Sequence, residues 1–212
     1  MIRPEWPAPG NVVAGTTLVD TPRDALPAGL ALLNQVHGPR VVAIDEVRAA
    51  AEPPDADAVT GFASGHVCAV RTADCLPVLF CTRDGSEIAA AHAGWRGLAA
   101  GVLENTVAAL RSEPDELLAW FGPAISQPNF EVGEEVREAF MAADPTTAEC
   151  FQPNARGRWQ ADLYALAARR LAGCGVTAVS GANWCTFADP QRFHSYRRDP
   201  DCGRMVSFAG LK

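Results

Sequence analysis

Seven short apolar runs punctuate the chain: Val41–Ile44, Val67–Val70, Leu76–Phe80, Glu87–His92, Leu117–Phe121, Val176–Val179 and Met205–Phe208. Turn-forming Gly, Pro, Asp or Ser residues lie close to most of them, and their lengths suit strands. Arg83-Asp84-Gly85 joins the third run to the fourth, and an Asp-Gly step between apolar runs signals a hairpin. A second period appears at Ala99, Val102, Leu103, Thr106, Val107 and Leu110. Their three- and four-residue spacing draws one apolar stripe and predicts a helix from about Leu98 to Arg111. Leu163, Leu166, Ala167 and Arg170 share a face of a second helix, Asp162–Leu171, with Asp162 as N-cap and Gly173 as stop. A weaker pattern predicts a third over Glu131–Met141. Strands outnumber helices and several adjoin as hairpins, so an α+β domain is expected rather than a strictly alternating parallel one. Pro7-Ala8-Pro9-Gly10 and Glu52-Pro53-Pro54-Asp55 read as turns, and with no repeat or dividing linker the expectation is one domain over residues 1–212.

The composition narrows the function. The 212 residues are 48% hydrophobic and 20% charged, which supports a sizeable core and argues against disorder. Lys and Arg total 18 against 25 Asp and Glu, a net charge of −7, which argues against a nucleic-acid binder. The longest charge-free stretch, Leu171–Ala188, contains three Gly with Ser, Thr and Asn, and fails as a membrane span. MIRPEWPAPG has no basic region leading into an apolar run, so no secretory signal is read there. Seven Cys, an odd number without any CxxC pair, suggest reduced thiols and a cytoplasmic setting. Four His set a tighter bound: a multi-metal redox cluster would exhaust them.

Ala91-His92-Ala93-Gly94-Trp95-Arg96-Gly97 places a strand end, two glycines and a helix start together, with Arg96 beside N–H groups that a helix leaves unpaired. The same pattern also suits a tight turn with a solvated arginine. Cys75, in Arg71-Thr72-Ala73-Asp74-Cys75-Leu76-Pro77, sits at the mouth of a strand as either a reactive group or a packed thiol. Asn34-Gln35-Val36-His37-Gly38 and Asp55-Ala56-Asp57-Ala58-Val59-Thr60-Gly61 read as turn and loop. Arg197, Arg198 and Arg204, near Ser195 and Tyr196 in an acidic chain, suggest an anion pocket or a solvated basic loop paired with Asp199 and Asp201. If they converge, His37, Cys75 and His92 form a two-nitrogen, one-sulfur set suited to Zn²⁺ with an open fourth position. The same residues also suit a Cys–His nucleophile dyad with a spare His. His66 and His194 are expected to be bystanders.

Taken together, NQVHG (34–38), DADAVTG (55–61), TADCLPVLF (72–80), AAAHAGWRG (89–97), FGPAIS (121–126), FEVGEEV (130–136), SYRRD (195–199) and GRM (203–205) resemble the YfiH-type laccase-domain family. The resemblance runs from about residue 30 to 210 in consistent order. It implies a four-layer α/β/β/α domain with mixed sheets, and one metal ion, usually zinc with copper possible, held by His37, Cys75 and His92. It implies phosphorolysis of adenosine, inosine and methylthioadenosine, with adenosine deamination as a side activity. On this expectation Cys75, His92 and Arg96 are catalytic, and the phosphate lies at the helix start with Arg96 and some of Arg197, Arg198 and Arg204. Asn34 or Asp57 would hold the ribose. The partners are then purine nucleosides and phosphate, with neither nucleic acid nor membrane, and the protein is a monomer or weak homodimer. Two alternatives stay open. One is a cysteine hydrolase acting on peptidoglycan precursors through Cys75 with His92 as base. The other is a copper-dependent phenol oxidoreductase, disfavoured by ligand supply. His194 departs from the family pattern, where relatives tend to carry an aromatic residue.

Overall fold

The computed structural model describes all residues from Met1 to Lys212. In chain order its elements are β1 (Val12–Thr16), β2 (Leu30–Ala31), β3 (Val41–Ala43), α1 (Ile44–Ala49), β4 (Ala58–Gly61), β5 (Val67–Thr72), β6 (Leu76–Thr82), β7 (Ile88–Ala93), α2 (Trp95–Ala99) and α3 (Val102–Ala109). There follow β8 (Leu117–Phe121), β9 (Glu131–Val132), α4 (Glu134–Met141), β10 (Phe151–Pro153), β11 (Trp159–Ala161), α5 (Leu163–Gly173), β12 (Ala178–Gly181) and β13 (Met205–Leu211). Six strands form a mixed sheet in the order β12-β8-β6-β7-β4-β3, and four form another in the order β1-β13-β5-β2. A third sheet, β10-β11-β9, is small. The class is α+β with mixed sheets, as the strand-rich pattern predicts.

Period-two alternation explains the layering. Along β6, Val78 and Phe80 face one core, shared with α3, α4 and α5 through Leu103, Phe140 and Leu166. Leu79 and Cys81 face the other core, where the six-stranded sheet meets Cys68, Val70 and Ala209 of the four-stranded one. Both faces of β6 to β8 are buried, which is why these strands read as unbroken apolar runs. On the far face of the four-stranded sheet, Val67, Ala69 and Phe208 pack under Leu26, Leu30 and Leu32. That outer cover is thin: a short 3-10 turn, Arg23–Ala25, and extended chain. β1 pairs with β13, so the two ends of the chain share one sheet.

Several expectations need adjusting. The Leu98–Arg111 stripe is two helices, because Gly101 sits in the left-handed region at φ 94° and restarts the chain as α3. Glu131 and Val132 pair with β11 rather than opening a helix, so α4 begins at Glu134. Strand Val176–Val179 shifts to Ala178–Gly181, parallel to β8. Asp55–Gly61, read as a loop, holds the buried strand β4. Two local signals hold. Asp162 accepts a hydrogen bond from the Ala165 N–H at 3.0 Å as the N-cap of α5. The Asp-Gly turn closes the β6–β7 hairpin with Gly85 at φ 72°.

Candidate active site

The site forms where β6 begins and β7 ends, at one end of the two central strands of the six-stranded sheet. Pro77 of β6 lies opposite His92 of β7, which brings Cys75, just ahead of β6, next to His92. His37 arrives from the turn before β3. Its backbone is in the left-handed region at φ 61°, a conformation that a non-glycine residue keeps only where its surroundings enforce it.

Asp57 is what enforces it. Its carboxylate accepts the backbone N–H groups of Val36 (3.2 Å), His37 (3.0 Å) and Gly38 (2.7 Å), wrapping the turn around one buried charge. The same carboxylate pairs with His92 Nδ1 at 2.7 Å. Asp57 thus holds one histidine through its backbone and the other through its ring. With Nδ1 engaged by the carboxylate, His92 Nε2 is free to act as a ligand. The ligand atoms of His37, Cys75 and His92 lie within 4.8 Å of one another, a group able to hold one metal ion. Gly94 leaves them room: a Cβ there would come 3.0 Å from Cys75 Sγ and 3.1 Å from His37 Cδ2.

The electrostatics follow from this packing. Burial alone would push the Cys75 thiol up, but hydrogen bonds and charge from His37 and His92 outweigh it and bring the group down to about 6. Burial opposes an imidazolium at His92, yet Asp57 and the Cys75 thiolate raise it to about 9. For Asp57, burial is overcome by His92 and the N–H groups of Gly38 and His37, which hold it below the usual carboxylate range. Without a metal, the site is an imidazolium between a thiolate and a carboxylate.

A cavity of about 840 Å³ opens over the trio, lined among others by Asn34, Arg71, Arg96, Ile125, Phe130, Tyr196, Arg197 and Arg204. Its far wall is secured by Asp74, whose backbone turns into Cys75 at φ 88°. Asp74 Oδ1 accepts the Thr186 hydroxyl at 2.5 Å, and Oδ2 accepts Ser195 Oγ at 3.0 Å and the Arg197 N–H at 2.7 Å. One carboxylate therefore fixes the C-terminal basic segment against the site. Asn34 Nδ2 donates to Asp55 Oδ1 at 2.6 Å, which leaves its amide oxygen for another partner.

Two expected substrate residues have other partners. Arg198 donates to the carbonyls of Thr186, Phe187 and Phe193 at 2.6–2.9 Å and does not line the cavity. Asp57 is fully buried, and its carboxylate is taken up by His92 and three N–H groups, which leaves no face for a ribose. His66 and His194 stand outside the trio; His66 Nδ1 accepts the Phe62 N–H at 3.2 Å. Sequence reasoning did not single out Arg71, Ile125, Phe130 or Tyr196 as lining residues. For Arg71 a signal existed: it is the one charge within the run Val67–Thr72.

Residues 9–212 match the family described as multi-copper polyphenol oxidoreductase laccase. Over all of its length the chain is 45% identical to a Pseudomonas aeruginosa protein named a purine nucleoside phosphorylase, covering 98% of that relative. It is 50% identical to Escherichia coli YfiH, also named a purine nucleoside phosphorylase, over 88% of this chain and 75% of the relative. The crystal structure of a Neisseria meningitidis protein superposes with a TM-score of 0.90 at 41% identity, covering 100% of this chain and 98% of the other.

Proposed function

This chain belongs to the multi-copper polyphenol oxidoreductase laccase family, and from that premise we propose that it is a zinc-dependent purine nucleoside phosphorylase acting on adenosine, inosine and methylthioadenosine. The observation that carries this reading is the convergence of His37, Cys75 and His92 at the floor of a cavity rimmed by arginines and aromatic side chains. Two imidazoles and a thiolate with room for one more ligand are a donor set that zinc favours, as in catalytic rather than structural zinc sites. Zn²⁺ held there would supply Lewis acidity at the cavity floor, the chemistry that adenosine deamination would need as a side activity.

The chain's own residues divide the remaining work. Arg96, stacked 4.5 Å from the Trp95 ring, and Arg197, 5.5 Å from the Phe130 ring with Nη1 donating to the Glu131 carbonyl at 3.0 Å, present their remaining guanidinium donors to the phosphate. Ile125, Phe130 and Tyr196 offer the apolar surface on which a purine packs. The Asn34 amide oxygen accepts a ribose hydroxyl. Names given to the relatives support the purine nucleoside class. Copper-coupled phenol oxidation fits poorly, because one trio supplies too few ligands for several metals. Incubating inosine with metal-replete protein tests the reading: hypoxanthine should appear only with phosphate. Release without phosphate, or none at all, would contradict it.

A second reading has its own observation. The Cys75 thiol at about 6 beside His92 at about 9 is the charge state of a cysteine nucleophile with its histidine base. A zinc-bound thiolate is blunted, so the two readings part on metal loading. Iodoacetamide labelling of Cys75 only after chelation favours the metal site; labelling of the protein as isolated favours the hydrolase.

A further inference from the structure

The cavity carries more positive charge than one phosphate uses. Arg71, Arg96, Arg197 and Arg204 all line it. The ion pairs of the molecule involve Arg40, His66, His92, Arg137, Arg156, Arg169, Arg170 and Arg192, so none of these four has a carboxylate partner. Asp74 is the only acidic residue in the wall, and both its oxygens are occupied by Thr186, Ser195 and Arg197. In a chain of net charge −7, four guanidinium groups without a carboxylate partner around one cavity point to an anionic occupant.

The four come from two places. Arg96 stands on α2, just past His92, and Arg197 lies in the segment that Asp74 ties down. Arg71 and Arg204 lie at one end of the two inner strands of the four-stranded sheet. Arg71 of β5 lies opposite Val206 of β13, Arg204 immediately precedes β13, and both line the cavity. Gln35 pins the Arg71 backbone, accepting its N–H and donating to its carbonyl, each at 2.8 Å. The Arg71 guanidinium itself has one long contact, Nη2 to the Leu33 carbonyl at 3.4 Å. Arg204 uses only Nη1, donating to the Cys202 and Gly203 carbonyls. Both keep donors free.

We propose that the preferred substrate carries its own phosphate, a purine nucleoside 5′-monophosphate, and that Arg71 and Arg204 hold that group while Arg96 and Arg197 hold the attacking phosphate. The assignment rests on the phosphorylase reading above. Attack occurs at C1′, and the ribose carbon that projects away from it is C5′, so a second anion on the substrate belongs there. With inosine 5′-monophosphate, a phosphate oxygen bonds C1′ as the C1′–N9 bond breaks and its electron pair leaves on the purine. The proton of hydrogen phosphate ends on the purine nitrogen. The products are hypoxanthine and ribose 1,5-bisphosphate, with no oxidant or reductant required.

The test is calorimetric binding of inosine and of inosine 5′-monophosphate to the zinc-loaded full chain at low ionic strength, followed by hypoxanthine release with phosphate present. The monophosphate should bind about tenfold or more tightly than inosine, a preference that shrinks as salt screens it. Arg71→Gln and Arg204→Gln should each move the ratio toward one. Equal binding of the two compounds, or a preference that survives both substitutions, overturns the proposal. If the preference and its loss on substitution are seen but neither compound yields hypoxanthine, the phosphorylase reading fails while the second anion subsite stands.

Discussion

Asp57 has no side-chain route to the substrate, yet it governs both histidines of the trio. Asp57→Asn keeps the size but presents an amide to His92 Nδ1 and weakens the hold on the 36–38 turn, so zinc affinity should fall about 10- to 100-fold, as for other partners of metal-bound histidine. Competition with a chromophoric chelator measures this; an unchanged affinity would remove Asp57 from its positioning role. The protonation pattern makes a second prediction. Zinc needs a thiolate and neutral imidazoles, and the metal-free site at pH 7 already holds Cys75 as thiolate but His92 as imidazolium. Binding should therefore release about one proton at pH 7, taken from His92. Release should dwindle above pH 9, and rise below pH 6 as Cys75 also gives up a proton. Calorimetry in buffers of different ionisation enthalpy counts these protons. Each of the three ligand candidates stands at a strand or turn boundary among Gly, Pro or Asp, but they are far apart in the chain and no local metal motif joins them, so it is the family resemblance that names them together. The work of Asp57 was not legible in the sequence, since only the fold shows that a polar-looking motif is fully buried.

Elements aim these residues, and two glycines do much of the aiming. Gly101 separates α2 from α3 at φ 94°, a region costly for a residue with a Cβ. Gly101→Ala should cost about 1–2 kcal/mol and lower the Tm by about 2–8 °C. Gly94 separates β7 from α2 against the trio, so Gly94→Ala should weaken zinc binding by more than its modest effect on stability implies. Thermal scans with and without zinc distinguish the two: a Gly94→Ala variant whose zinc-dependent Tm gain equals that of wild type would contradict the close packing. The apolar periods predicted β5, β6, β7, β8 and α5 well because burial on one or both faces leaves a regular imprint. They merged α2 with α3, since the stripe continues across Gly101 and periodicity carries no record of a left-handed residue. β4 was missed because its short run follows two aspartates and resembles a turn.

At the scale of the molecule, the site is assembled from distant parts of the chain, and Asp74 is the main tie. Its carboxylate partners Thr186, Ser195 and Arg197 are more than 100 residues away. Asp74→Ala would leave two buried hydroxyls and an N–H without an acceptor and place a Cβ-bearing residue without a local polar partner at positive φ. A loss of about 2–4 kcal/mol in urea unfolding is expected, with Asp74→Asn milder. The α+β class and the basic character of the C-terminal segment were legible from pattern and composition. The division of labour among its arginines was not: Arg198 braces the carbonyls of Thr186, Phe187 and Phe193 while Arg197 and Arg204 line the cavity, a difference that only the folded path of residues 186–204 reveals. All these ties serve one arrangement, two imidazoles and a thiolate brought together under a basic cavity of about 840 Å³. Metal analysis of the purified chain tests it most directly. Wild-type protein should hold about one equivalent of zinc that Cys75→Ala loses while retaining its fold by circular dichroism. A folded Cys75→Ala protein that keeps its full equivalent would contradict the trio as the metal centre.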